Sequence, residues 1–314
     1  MEMSQQATAV DLSPAGEVRA RQSRRWRAIR ESLTCYLFLF PYLALFVVFV
    51  LIPFFWAIWL SFQEGGIMSP PVFVRLDNYA GGLGDQTFQT TILNTLRYVV
   101  TVVPAVTVLG VLIALVTNSP TLRGRSIFRA IVFFPVLASA AAIGRLWQYM
   151  LLPKYGLVNY VLGFFGIPQI RWLDPAMAMN TVVMVALWGG LGFYVLVYLA
   201  AMQDIPTDLL DAARVDGANG RQVVWHVTIP CIRPVLLFTT TMAIIWGFQM
   251  FDIVYVLTNG GPLYRTATIV WYIYNSAFKW DQLGKASAMG VVLLVIILAI
   301  TLIQRRVFRE EIQQ

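Results

Sequence analysis

The sequence predicts an all-α integral membrane protein of six transmembrane helices, with a polar loop of two short helices between spans four and five. Three observations carry that prediction. The 314 residues are 58% apolar and only 12% charged, which places the chain in the membrane class. Six stretches reach the roughly 20 apolar residues that a hydrocarbon core about 30 Å thick demands of a helix. The lysines and arginines fall on alternate loops between those stretches. Strands are excluded as spanning elements, because lipid offers no hydrogen-bond partner to an open sheet edge.

Residues 1–34 form a polar, basic tail, expected to be cytoplasmic, and residues 35–314 form the membrane domain. The first apolar run, Cys35 to Phe62, is far longer than a cleavable signal core and 34 residues precede it, so it is read as a retained span. The others run from Ile92 to Val116, Ile127 to Leu151, Met177 to Met202, Val235 to Leu257 and Ala286 to Ile303. An even number of spans puts both ends of the chain on one side. Arg19, Arg21, Arg24, Arg25, Arg27 and Arg30 precede span one; Arg123, Arg125 and Arg129 lie between spans two and three. Arg214, Arg221 and Arg233 follow span four, and Arg305, Arg306 and Arg309 follow span six. These fifteen stand against Arg75, Lys154, Arg171, Arg265, Lys279 and Lys285 on the opposite loops, so both termini and the loop from Gln203 to Pro234 are cytoplasmic. Arg97 and Arg145 fall inside spans, Arg145 close enough to the outer end to snorkel.

The net charge of +7 is accounted for by this topology and calls for no nucleic acid. The single histidine, His226, and two cysteines, Cys35 and Cys231, match no metal or disulfide spacing, and no phosphate loop is present. No metal site is expected and no internal repeat is evident.

The 203–234 loop is longer than a helix hairpin requires. Pro206 suits the first turn of a helix, Asp208 and Asp211 place negative charge near its N-terminus, and Gly217 can take the left-handed conformation that ends it. A second helix fits Gly220 to Thr228, with Pro230 stopping it and Pro234 beginning span five. Leu210, Ala213 and Gly217 share one face beside the small Ala212, an arrangement suited to entering a groove. The plainer alternative is an amphipathic helix resting on the membrane surface.

The string "DAARVDGANGRQVVWHVTIP" resembles the coupling loop of the membrane subunits of bacterial ATP-binding-cassette importers, whose pattern is E-A-A, three residues, G, nine residues, then I-x-L-P. Asp211, Ala212 and Ala213 stand for E-A-A, Gly217 follows at the right distance, and Val227 to Pro230 close it; Asp211, Val227 and Ile229 depart conservatively. "LLDAARVDGANG", "NTLRYVV" from Asn94, "LWQYMLLPKYGLVN" ending at Asn159, "LAAMQDIP" from Leu199 and "FDIVYVLTNGGP" from Phe251 resemble the carbohydrate-uptake branch. The resemblance implies that Leu210, Asp211, Ala212, Ala213, Asp216, Gly217 and Pro230 engage a cytoplasmic ATPase. It also implies a second six-span permease, two ATPase subunits and an extracytoplasmic solute-binding protein, in the bacterial inner membrane. This chain would bind no cofactor itself, with ATP and Mg used by the ATPases.

Polar groups within spans are costly and often functional. Asn94, Tyr98 and Thr101 form a stripe on span two, and Trp246, Gln249 and Asp252 recur at threes on span five. An aromatic platform beside amide and carboxylate groups suits sugar hydroxyls, so Asn94, Trp246, Gln249 and Asp252 are the expected substrate contacts. After span five, "TNGGP" reads as a turn, and "PKYGLVNYVLGFFGIP" as a short outer-surface helix. Two competitors remain at this level. A self-sufficient secondary transporter would carry an ionisable relay or an inverted repeat, and a membrane-embedded transferase would carry clustered catalytic groups.

Overall fold

The computed structural model describes residues 36–119 and 122–312; the predicted tail of residues 1–34, with its arginines, and Cys35 lie outside them. The chain forms two compact units, Met1–Ala57 and Ile58–Gln314. Among the described residues, five helices are long and apolar enough to cross a membrane, or six if one bent pair counts as a single span.

The helix α1 covers Tyr36–Leu60 and opens into a π-helical turn at Val47–Leu51, immediately ahead of Pro53. Proline has no N–H for the fourth carbonyl back and its ring crowds that carbonyl, so widening the preceding turn lets the helix continue. A two-stranded antiparallel ribbon follows, β1 (Gln63–Glu64) on β2 (Val72–Phe73), with Gln63 opposite Phe73. Then come α2 (Asp77–Gly84) and the long α3 (Gln86–Asn118), whose N-terminus is capped by the Asp85 carboxylate accepting from the Thr87 and Phe88 amides.

The predicted third span, Ile127 to Leu151, is not one straight helix. It divides into α4 (Arg125–Phe133), a tight 3-10 turn at Phe134–Leu137, and α5 (Ala140–Met150), with a bend of 102° between the pair. Pro135 starts the break and Ser139 caps the new helix by accepting from the Ala142 amide, so the chain stops and restarts with its backbone groups engaged. Within 153–168 a short helix does form, α6 (Leu157–Phe164). Buried Asn159 holds this segment together: its amide donates to the Pro153 and Ile170 carbonyls, and its oxygen accepts from the Ile170 amide and the Trp172 indole.

The spans α7 (Ala178–Gln203) and α3 form the centre of the second unit, with Tyr98, Val102, Val106, Tyr194 and Tyr198 in the shared core. Between helices in lipid, close packing replaces the hydrophobic drive, so small residues at contacts matter. Gly192 is one: a Cβ there would collide with the Val132 carbonyl oxygen of α4.

After the short α8 (Thr207–Val215), the chain enters α9 (Gly220–Val223), a π-helical turn at Val224–Thr228, and α10 (Ile229–Phe248), which together form one uninterrupted helix. The expectation that Pro230 would stop the second loop helix is therefore corrected. The same device seen at Pro53 operates here: a π turn directly precedes the proline, and the Ile229 amide reaches back to Val224. A break at Gln249–Phe251 leads to α11 (Asp252–Leu257), then α12 (Ile269–Phe278) and α13 (Leu283–Ile312). The ten-residue α12 lies in what the sequence presents as an outer loop; it is too short to cross a bilayer, yet Trp271 and Tyr272 are buried.

Candidate functional site

The two helix breaks converge on one cavity of about 430 Å³. Its walls come from α3 (Tyr98, Val102), the α4–α5 corner (Val136, Ala138, Ala140), α7 (Gly190, Phe193, Tyr194) and the end of α10 with its break (Trp246, Gln249, Met250, Phe251, Asp252). Non-helical backbone at membrane depth is tolerable only where it is buried in protein or borders a cavity, and here both breaks border one. The Met250 carbonyl at the second break accepts the Thr268 hydroxyl at 2.7 Å, and Asp252 opens the next helix.

Trp246, Gln249 and Asp252 all border this cavity, though not as a stripe on a continuous helix. The break between Gln249 and Asp252 turns the third residue in beside the first two. All three are exposed, and the Gln249 side-chain amide and Asp252 carboxylate carry no hydrogen bond to any described residue. Trp246 packs edge to face on Phe193, with ring centroids 5.4 Å apart. Tyr98 joins the lining as well. Asn94 sits outside it: its amide donates to the Tyr264 and Ala267 carbonyls at 2.7 and 3.0 Å and fastens the loop before α12 onto α3. The neighbouring Thr95 hydroxyl accepts from the Ile269 amide, so this end of α3 serves as a loop anchor. Thr101 returns its hydroxyl to the Arg97 carbonyl. Sequence spacing held no sign of Phe193, Tyr194 or Phe251, which reach the cavity only through packing and the break.

The second region is the loop between α7 and α10. Its first helix starts one residue after Pro206 and ends in a Schellman cap: the Gly217 amide donates to the Arg214 carbonyl and the Ala218 amide to the Ala213 carbonyl, at 3.0 and 2.9 Å. That cap needs a left-handed residue, and Gly217 has φ +84°. A reciprocal capping box then starts α9, with the Asn219 side chain accepting from the Gln222 amide and the Gln222 side chain accepting from the Asn219 amide. Leu210 and Ala213 are partly buried, Leu210 against the core, whereas Leu209, Asp211, Ala212, Val215, Asp216 and Gly217 are exposed. Of the face that spacing suggests, Gly217 is exposed and Leu210 and Ala213 are partly covered. Pro230 lies beyond the tip, inside the continuous helix. Asp211 pairs with Arg214 at 2.8 Å in a solvent-exposed bridge that contributes little to stability.

Among the described residues there is no group of three or more His, Cys, Asp or Glu side chains placed to hold a metal ion.

Residues 91–311 match the family described as "Binding-protein-dependent transport system inner membrane component". The chain is 34% identical over 290 residues to the arabinooligosaccharides transport system permease protein AraP of Bacillus subtilis, covering 90% of this chain and 91% of AraP. It is 36% identical over 311 residues to the diacetylchitobiose uptake system permease protein NgcF of Streptomyces coelicolor, covering 93% and 87% respectively. In structure it resembles a chain of a bacterial alginate ABC transporter, solved in complex with an alginate pentasaccharide-bound periplasmic protein. That likeness has a TM-score of 0.82 and 25% identity, over 91% of this chain and 98% of that one.

Proposed function

This chain belongs to the family of inner membrane components of binding-protein-dependent transport systems, and from that premise we propose how it works. It is a permease subunit of an ATP-driven importer of the carbohydrate-uptake class, a transport component rather than an enzyme. The finer reading is six spans, with the bent α4–α5 pair as the third, both termini and the α8–α9 loop cytoplasmic, and residues 1–34 as a separate tail. The cargo is a sugar, an oligosaccharide or a related polyol. The pathway is shared with a second six-span permease, fed by an external solute-binding protein and driven by two ATPase subunits that use ATP and Mg. The chain itself binds no cofactor.

In this reading the α8–α9 peg, through Asp211, Ala212, Asp216 and Gly217 with Leu210 and Ala213 behind them, seats in a cleft of the ATPase. Trp246, Gln249 and Asp252 meet the cargo, and Asn94 holds the frame around it. The observation that supports this most directly is continuity. The helix that begins at the peg with Gly220 runs without interruption to Phe248 and ends at the cavity wall. At 1.5 Å per residue that is a rod of roughly 43 Å from the peg to Gln249. Closing of the ATPases on ATP moves the peg, the rod moves as one body, and its far end is the break beside the cargo. The pathway thereby faces outward with ATP bound and inward after hydrolysis.

The test uses Val215→Cys at the exposed peg tip, with Cys35 and Cys231 replaced by serine, in membranes holding the whole importer. Capture of the ATPase by a photo-activated crosslinker attached to this cysteine, together with sugar uptake that requires ATP, is the expected result. Failure to capture the ATPase from any position between 209 and 217 contradicts the coupling role.

A further inference from the structure

Building on the reading of the cavity as the cargo path, we propose that this chain's share of the pathway admits uncharged saccharides and turns away acidic ones. Among the described residues, Asp252 is the one carboxylate on the cavity wall, and no lysine, arginine or histidine lines it. The intramembrane cations nearest in sequence are engaged elsewhere: Arg97 donates to the Asn180 side chain at 3.0 Å and Arg145 to the Gln148 side chain at 2.6 Å. On the segments after α11, Lys279 lies over the Tyr255 ring and Lys285 is paired with Asp85.

A uronate or phosphate stripped of water needs a cation or several converging N–H donors. Here it meets a carboxylate of like charge and no cation among the described lining residues. The side-chain donors this wall offers are the Trp246 indole, the Gln249 amide and the Tyr98 and Tyr194 hydroxyls, all uncharged at neutral pH. A neutral pyranose finds what it requires. Its apolar face rests on Trp246 or Phe193, and its hydroxyls donate to Asp252 and exchange hydrogen bonds with Gln249.

The test measures saccharide binding by saturation-transfer NMR on the complete membrane complex in nanodiscs, without the solute-binding protein, so that only the pathway selects. The probes are a mixture of neutral trisaccharides of glucose, arabinose and N-acetylglucosamine, and a mannuronate trisaccharide of the same length. Neutral probes bind at least about tenfold more tightly than the acidic one in the native complex, a gap that Asp252→Asn narrows to about threefold or less while Asp252→Glu preserves it. Trp246→Ala weakens the neutral probes. Acidic binding as tight as neutral, or a gap that Asp252→Asn leaves unchanged, overturns the charge selection while the cargo path stands. Absence of binding by either class, with Trp246→Ala without effect, overturns the cargo path and the selection together. Membership of the importer class is read separately, from ATP-dependent uptake.

Discussion

Asp85 caps α3, accepts the Tyr272 hydroxyl at 2.7 Å and pairs with Lys285 at 2.8 Å, so one side chain joins α3, α12 and α13. Burial pushes its carboxyl up, but the hydrogen bonds from Lys285, Tyr272 and Thr87 outweigh burial and bring it from the ordinary 3.8 down to about 2. A depressed carboxyl stabilises the fold above its unfolded value, and that contribution is lost as pH falls from about 4 through about 2. Thermal unfolding in detergent therefore loses midpoint across this window in the native protein. Asp85→Asn starts lower at neutral pH, by about 1 kcal/mol for a partly exposed pair, and shows less pH dependence there; equal slopes would contradict the clamp. Asn159→Leu strands the Pro153 and Ile170 carbonyls and the Trp172 indole, a loss of about 2 to 4 kcal/mol that hydrogen exchange reads as early opening of 153–172. Neither residue stands out in the sequence, because a cap and a loop staple are defined by partners up to 200 residues away. Trp246, Gln249 and Asp252 were legible as polar groups in an apolar run, and Asn94 equally so, but spacing alone could not separate cavity from anchor.

At the scale of elements, the apolar runs disclosed five spans to within a few residues at most of their ends, because length and hydropathy are local properties. The exception was Gly220–Leu257, which extends 15 residues further back than its apolar core. A proline reads as a stop, yet Pro230 follows a π turn and Pro104 and Pro234 sit within α-helix, and neither arrangement has a composition signature beyond the proline itself. The 102° bend in the third apolar stretch was likewise hidden, since Pro135 in a greasy run is compatible with a kink or a full break. Gly217 was legible in full, as residue, place and conformation. With φ +84° and nothing within 4 Å of a Cβ added there, a side chain is opposed by backbone conformation alone. Gly217→Asn should then be nearly tolerated, Gly217→Ala should cost about 1 kcal/mol, and Gly217→Val should cost more and abolish uptake while the protein still reaches the membrane. Uptake unaffected by Gly217→Val would show that the cap does not set the peg.

For the whole molecule, an exposed peg and a cavity are joined by one helix. The peg end is fixed by a Schellman cap and a capping box, so it turns as a unit. The cavity end stops at a break where the Met250 carbonyl accepts the Thr268 hydroxyl, which ties the end of the rod to the residue that opens α12. Buried side chains, including the Tyr198 and Thr239 hydroxyls 2.8 Å apart, connect α10 to α7 between these ends. The measurement that bears most directly on the lever is insertion of two glycines between Pro234 and Val235, which interrupts the rod beyond the peg's capping box and short of the cavity wall. The expected result is a complex that assembles and hydrolyses ATP but imports sugar no faster than background. Import at the native rate by the interrupted rod would contradict the lever outright.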